Sequence, residues 1–77
     1  MNKVGEIQLR LAEAAELLGM ARLKITGARV VALRWEGDVY SDEDPRIQEM
    51  LDYVVTLKKT SEGLLELMKR FGEEDVE

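Results

Sequence analysis

Apolar residues recur at alternating steps of three and four residues through the first half of the chain. The series is Val4, Ile7, Leu11, Ala14, Leu18, Ala21, Ile25, Ala28, Ala32 and Trp35. This spacing places every member on one face of an α-helix. The pattern therefore predicts a helix over about residues 3–35.

Two residue sizes alternate along this predicted face. Large side chains fill one set of positions, and alanines fill the other: Leu11, Leu18 and Ile25 against Ala14, Ala21 and Ala28. Alternating large and small residues allow a neighbouring helix to approach closely and interdigitate. We expect both sets to face a second helix.

The second half of the chain repeats the rhythm. Its series is Ile47, Met50, Val54, Leu57, Ser61, Leu64, Met68 and Phe71. Asp44 and Pro45 indicate where this helix begins. An aspartate side chain accepts hydrogen bonds from the unpaired backbone N–H groups of the first helical turn. Proline has no backbone N–H, but the N–H of the first helical position would have no partner within the helix. Gly72 is expected as the C-cap. The pattern predicts a turn over 36–44, a helix over about 45–71 and an acidic tail over 72–77, and thus an all-α antiparallel helical hairpin in a single domain.

Further apolar residues lie outside both series. They are Leu9, Met20, Leu23, Val30 and Leu33 in the first half and Leu51, Val55 and Leu65 in the second. A partial second apolar stripe on both helices favours a partner, since a lone hairpin of this size has little core. We expect a homodimer, or a heterodimer with a related hairpin, that forms a four-helix bundle. Met20, Leu23, Val30 and Leu33 are the candidate partner-binding residues.

The segment RWEGDVYSDEDP, residues 34–45, connects the two series and allows three interpretations. The aspartates of this segment, together with Glu49 just after it, resemble a calcium loop. They are Asp38, Asp42 and Asp44. However, Tyr40 stands where such a loop needs an oxygen ligand, and Glu43 stands where it needs glycine. A calcium site is therefore disfavoured.

A β-hairpin over 28–40 is the second interpretation, because VVALRW and VY are rich in β-branched and aromatic residues around a glycine. In the third, Gly37 ends the first helix and Trp35 packs near Ile47 and Met50 at the closed tip of the hairpin. The uninterrupted helical spacing up to Trp35 favours the third interpretation, while the hairpin stays open.

The amino-acid composition limits the kinds of functional site that this chain can form. The chain has no cysteine and no histidine, which removes thiolate sites, the commonest metal ligand and the usual general base near neutral pH. We expect no enzyme activity, no metal and no cofactor; a hydrolase acting through Asp42, Asp44 or Asp52 is the remaining catalytic alternative. A net charge of −5 argues against nucleic acid as a partner, and no apolar run is long enough to insert in a membrane.

A Trp-x-Gly turn between two amphipathic helices resembles the WXG family of type VII secretion substrates. The matching residues are Trp35 and Gly37 in the turn, and Phe71 and Asp75 at the aromatic-x-x-x-acid spacing after the second helix. Phenylalanine stands where the family prefers tyrosine. The resemblance implies a dimeric protein that is secreted without a cleavable signal peptide. It also implies a two-part export signal, formed by Trp35 and Gly37 of one chain with Phe71 and Asp75 of the partner chain.

The sequence thus predicts a non-enzymatic protein–protein interaction module. Two versions stay open: a WXG-like exported hairpin, or an intracellular homodimeric regulator or adaptor that docks its partner on the candidate partner-binding residues. The sequence does not specify the compartment: we expect the cytoplasm, or secretion without a cleavable signal peptide if the resemblance holds.

Overall fold

The computed structural model describes residues 3–34 and 40–74, which form two long α-helices. Helix α1 spans Lys3–Arg34 and helix α2 spans Pro45–Glu74. They pack antiparallel along their length in a body measuring 59 × 19 × 12 Å. The predicted all-α helical hairpin is confirmed, and there is no β-strand in the described part of the chain.

The alternative β-hairpin over 28–40 is contradicted where it can be examined. Residues 28–34 are the last two turns of α1. The three-four spacing of apolar residues therefore outweighed the local β-branched run of Val30 and Val31. Trp35 and Gly37 lie outside the described residues, so their predicted packing and capping roles stay predictions.

Helix α2 faces α1 through the predicted series. Ile47 is buried, with 2% of its surface exposed, and all seven other members are half-buried. The far side of α2 is polar, with Gln48, Asp52, Lys59, Glu66 and Arg70 all exposed. Because α2 has one apolar stripe opposite a polar side, only the apolar stripe can pack against α1.

Helix α1 faces α2 through most of the predicted series, with two exceptions. The large residues Leu11, Leu18 and Ile25 are half-buried as expected, but Ala21 and Ala28 are exposed. The residues that face α2 instead are one position further along the chain and seven residues apart: Gln8, Ala15, Arg22 and Arg29. Ala15 is buried and the other three are half-buried. The assignment of Ala21 and Ala28 to the interface was wrong.

Two interhelical hydrogen bonds mark the corrected face of α1. Gln8 Nε2 donates to the carbonyl oxygen of Met68 at 3.2 Å, and Ser61 Oγ donates to the carbonyl oxygen of Ala15 at 3.4 Å. A side-chain hydroxyl reaching the backbone of the opposite helix requires close approach there. The small side chain at position 15 permits that approach.

Gly72 does not end α2, which continues to Glu74. The predicted C-cap at this position was wrong. A Cβ on Gly72 would lie 2.6 Å from Gln8 Nε2. The glycine therefore makes room for the side chain that bonds Met68, and its role is steric.

The segment 40–44 fastens the start of α2 to the end of α1. The backbone N–H of Tyr40 donates to the carbonyl oxygen of Ala32 at 3.0 Å, which satisfies one of the free carbonyls in the last turn of α1. Asp44 is the N-cap of α2, as predicted: its Oδ1 accepts from the backbone N–H of Arg46 at 2.8 Å. Gln48 Nε2 adds a bond to the carbonyl oxygen of Asp42 at 2.6 Å.

Candidate interaction surface

One side of α1 carries apolar residues that the hairpin leaves in solvent. At about 100° per residue, positions spaced by three and four residues from Leu9 to Arg34 lie opposite the line of Leu11, Leu18 and Ile25. We call this stripe the outer face of α1. Its members are all exposed: Leu9, Glu13, Glu16, Met20, Leu23, Gly27, Val30 and Arg34.

Among the large apolar residues of the outer face, exposure is greatest in the middle. Leu23 is 67% exposed, Met20 54% and Val30 47%. Scattered surface leucines are ordinary, but a continuous apolar stretch over three helical turns is typical of an interaction site. In the hairpin alone, α1 is covered on one side.

Leu17 and Val31 widen this apolar stretch, at 65% and 51% exposure. The candidate partner-binding residues predicted from the sequence include neither of them. Leu17, Lys24 and Val31 stand seven residues apart, and that spacing is the signal that finds them.

The four candidate partner-binding residues do not all lie together. The structure places Met20, Leu23 and Val30 on the outer face. Leu33 is half-buried and lines a shallow groove with Arg29 and Tyr40 instead. Three of the four residues therefore share one surface.

Helix α2 also exposes apolar side chains: Leu51 at 38%, Tyr53 at 55%, Val55 at 43% and Leu65 at 42%. They do not form a stripe on its far side, which carries the charged residues described above. A shallow groove between the helices is lined in part by Gly19, Leu57 and Lys58, and by none of these four residues. The apolar surface with the greatest continuity is thus on α1.

The export-signal residues fall largely outside the described part of the chain. Trp35, Gly37 and Asp75 are not among the described residues. Phe71 is half-buried in the last turn of α2, at the end of the series that faces α1. It belongs to the packing between the helices.

The carboxylate of Asp44, near the turn, caps α2. Arg46 holds Asp44 through its side chain, with Nη2 donating to Oδ2 at 2.8 Å and Nε donating to Oδ1 at 3.1 Å. These bonds, the bond from the backbone N–H of Arg46 and its positive charge lower the pKa of Asp44 to about 2. The guanidinium of Arg46 also lies over the ring of Tyr40, 4.9 Å from its centroid.

No group of three or more potential metal ligands is found within residues 3–34 and 40–74. Neither of the two described helices has the length and apolar content needed to cross a membrane.

Comparisons of the chain with protein-family models, with curated proteins and with solved structures find no match.

Proposed function

We propose that this protein is a non-enzymatic protein–protein interaction module, which pairs with a second helical hairpin through the outer face of α1. The observation that carries the proposal is the exposure of Met20, Leu23 and Val30 on one side of a helix whose other side is already packed. Covering such a stripe with another helix removes it from water, and each fully buried leucine or methionine contributes about 1.5–3 kcal/mol.

The small core of the hairpin also supports a partner. Of the described residues, Ala15 and Ile47 alone are buried. The radius of gyration is 17.3 Å, against about 11 Å for a compact domain of this length. Two long helices in contact along one seam bury little per residue, and association into a larger bundle is the usual remedy.

Substitution of Leu23 by glutamate tests the proposal. A carboxylate in the middle of the outer face costs several kcal/mol if that face is buried in an assembly, and little if it is exposed. We expect Leu23→Glu to keep its helical circular dichroism and to sediment as a monomer, whereas the unmodified chain sediments as a larger species.

Thr56→Glu is the matched control, because it adds the same charge at an exposed position of α2. Its sedimentation should equal that of the unmodified chain. A monomeric unmodified chain that also captures no partner through Leu23 would refute the proposal.

A narrower version of the function is a WXG-like exported hairpin. It is supported by the helical-hairpin layout on either side of Trp35 and Gly37, and by Phe71 at the end of α2. Under this version Trp35→Ala and Asp75→Ala accumulate inside cells while keeping their helical circular dichroism. Normal export of both variants would leave the regulator or adaptor version.

A further inference from the structure

The outer face of α1 is acidic towards its N-terminus, apolar in the middle and basic at its C-terminus. The acids are Glu13 and Glu16, and the base is Arg34. We propose that the occupant of this face is a second copy of the chain, packed antiparallel about a two-fold axis between Leu23 and Lys24. This inference rests on the proposed interaction function and names its partner and geometry.

The charges of the outer face select the antiparallel direction. About an axis between residues 23 and 24, Glu13 of one copy lies opposite Arg34 of the other, and the two-fold repeats the pair at the far end. In a parallel pair, Glu13, Glu16 and Arg34 would each face their own copy. Like charges brought together across an interface cost free energy, whereas opposite charges fix its direction and register.

Gly27 supplies the space that such a pair needs. It is exposed and helical, and a Cβ built on it meets no atom within 4 Å. Nothing within the described hairpin therefore requires glycine, although glycine costs about 1 kcal/mol relative to alanine inside a helix. In the antiparallel pair, Gly27 lies opposite Met20, whose flexible side chain fits over the bare backbone.

Two further pairs near the axis are complementary, whereas Glu16 lies opposite Val31 and gains no charge partner. Leu17 lies opposite Val30, an apolar pair that the two-fold repeats. Leu23 lies opposite Lys24, whose aliphatic stem covers it while the ammonium group extends into water. The apolar middle of the outer face is thus buried against itself, and the polar far side of α2 stays in solvent on both copies.

Disulfide trapping tests the geometry directly, because the chain has no cysteine of its own. Met20→Cys and Gly27→Cys chains are prepared separately, mixed under reducing conditions and then oxidised. In the antiparallel pair, positions 20 and 27 face each other. Two copies of position 20 are displaced by seven residues, or about 10 Å along the helix, beyond the usual reach of about 7 Å between the Cα atoms of a disulfide.

We expect the mixture to yield the mixed disulfide at least tenfold faster than either chain alone yields its own. Leu17→Cys mixed with Val30→Cys is the second pair, which keeps the test valid if the loss of Met20 weakens association. Sedimentation of the reduced chains establishes that each variant still associates.

Every other outcome overturns the inference in a distinguishable way. Rapid self-disulfides at position 20 or 27 indicate a parallel pair. A dimer that forms neither mixed disulfide uses another face, while the interaction function survives if a partner is still bound. An unmodified chain that is monomeric at all concentrations, but binds a different protein through Leu23, refutes the second copy as occupant and leaves the interaction function standing.

Discussion

At the scale of single residues, the best-defined chemistry is the cap formed by Asp44. Its carboxylate accepts one backbone and two side-chain bonds from Arg46, and these lower its pKa to about 2. Aspartate before proline at a helix start is recognisable from sequence alone. The second role of Arg46, holding the cap in place and covering Tyr40, depends on side-chain conformations that no spacing rule specifies.

The pH dependence of this cap follows from the direction of its pKa. The folded pKa of about 2 lies below the unfolded value of about 3.9, so Asp44 stabilises the hairpin fully above about pH 5. We expect that stabilisation to disappear as the pH falls through about 4 and then 2. The side-chain carboxyl chemical shift of Asp44, followed by NMR between pH 1.5 and 6, measures the pKa.

Asp44→Asn separates the charge of this residue from its capping bond. Asparagine caps helices about as well as aspartate, so the variant should begin α2 at the same residue. Its stability should differ most from that of the unmodified chain at neutral pH and least near pH 2. A measured pKa near 4 for Asp44 would contradict its hydrogen bonding with Arg46.

At the scale of the helices, the packed series of α2 could be predicted at every position, and that of α1 at every described position except Ala21 and Ala28. Every member of the series from Ile47 to Phe71 is buried or half-buried, because α2 has one apolar stripe opposite a polar side. The packed face of α1 includes the polar residues Gln8, Arg22 and Arg29, so the rhythm of apolar residues alone does not decide the choice of face. The choice is made by contacts with α2, at Gln8 and Ala15.

This corrected face of α1 leads to a prediction about two alanines. Ala15 is 6% exposed and its carbonyl oxygen accepts from Ser61, so Ala15→Leu must push the helices apart. We expect a loss of about 1–3 kcal/mol in the free energy of unfolding. Ala21→Leu should change it by less than about 0.5 kcal/mol, since Ala21 is exposed.

Urea denaturation followed by circular dichroism measures both variants. The face predicted from sequence requires the reverse order, with Ala21→Leu the more damaging. A tolerated Ala15→Leu would therefore contradict the observed packing of α1 on α2.

At the scale of the whole molecule, the sequence predicts a hairpin and the need for a partner, but not the surface that meets it. Leu23 is recognised as lying outside the series, yet Leu33 is too, and the structure separates the two: one is 67% exposed and the other half-buried. The outer face becomes visible once α1 is oriented against α2. The same orientation places Gly27 on that face.

Gly27 gives a prediction in which one substitution has opposite effects on the hairpin and on its assembly. Gly27→Ala should stabilise the isolated hairpin by up to about 1 kcal/mol, because alanine is the better helix former and its methyl group meets no atom. The same methyl group occupies the space of Met20 from a second copy. Overpacking of this kind costs about 1–3 kcal/mol, so we expect the dimer to dissociate at least about fivefold more readily.

Gly63→Ala is the control for this prediction. Gly63 is likewise exposed and helical with open space around it, but it lies on the polar far side of α2. Both variants should unfold at higher urea concentration when the chain is dilute and monomeric, and Gly27→Ala alone should shift the dissociation constant in sedimentation equilibrium. Equal dissociation constants for the two variants would place the contact between copies away from Gly27. A methyl group added near the centre of an antiparallel pair would overpack the interface and raise the dissociation constant.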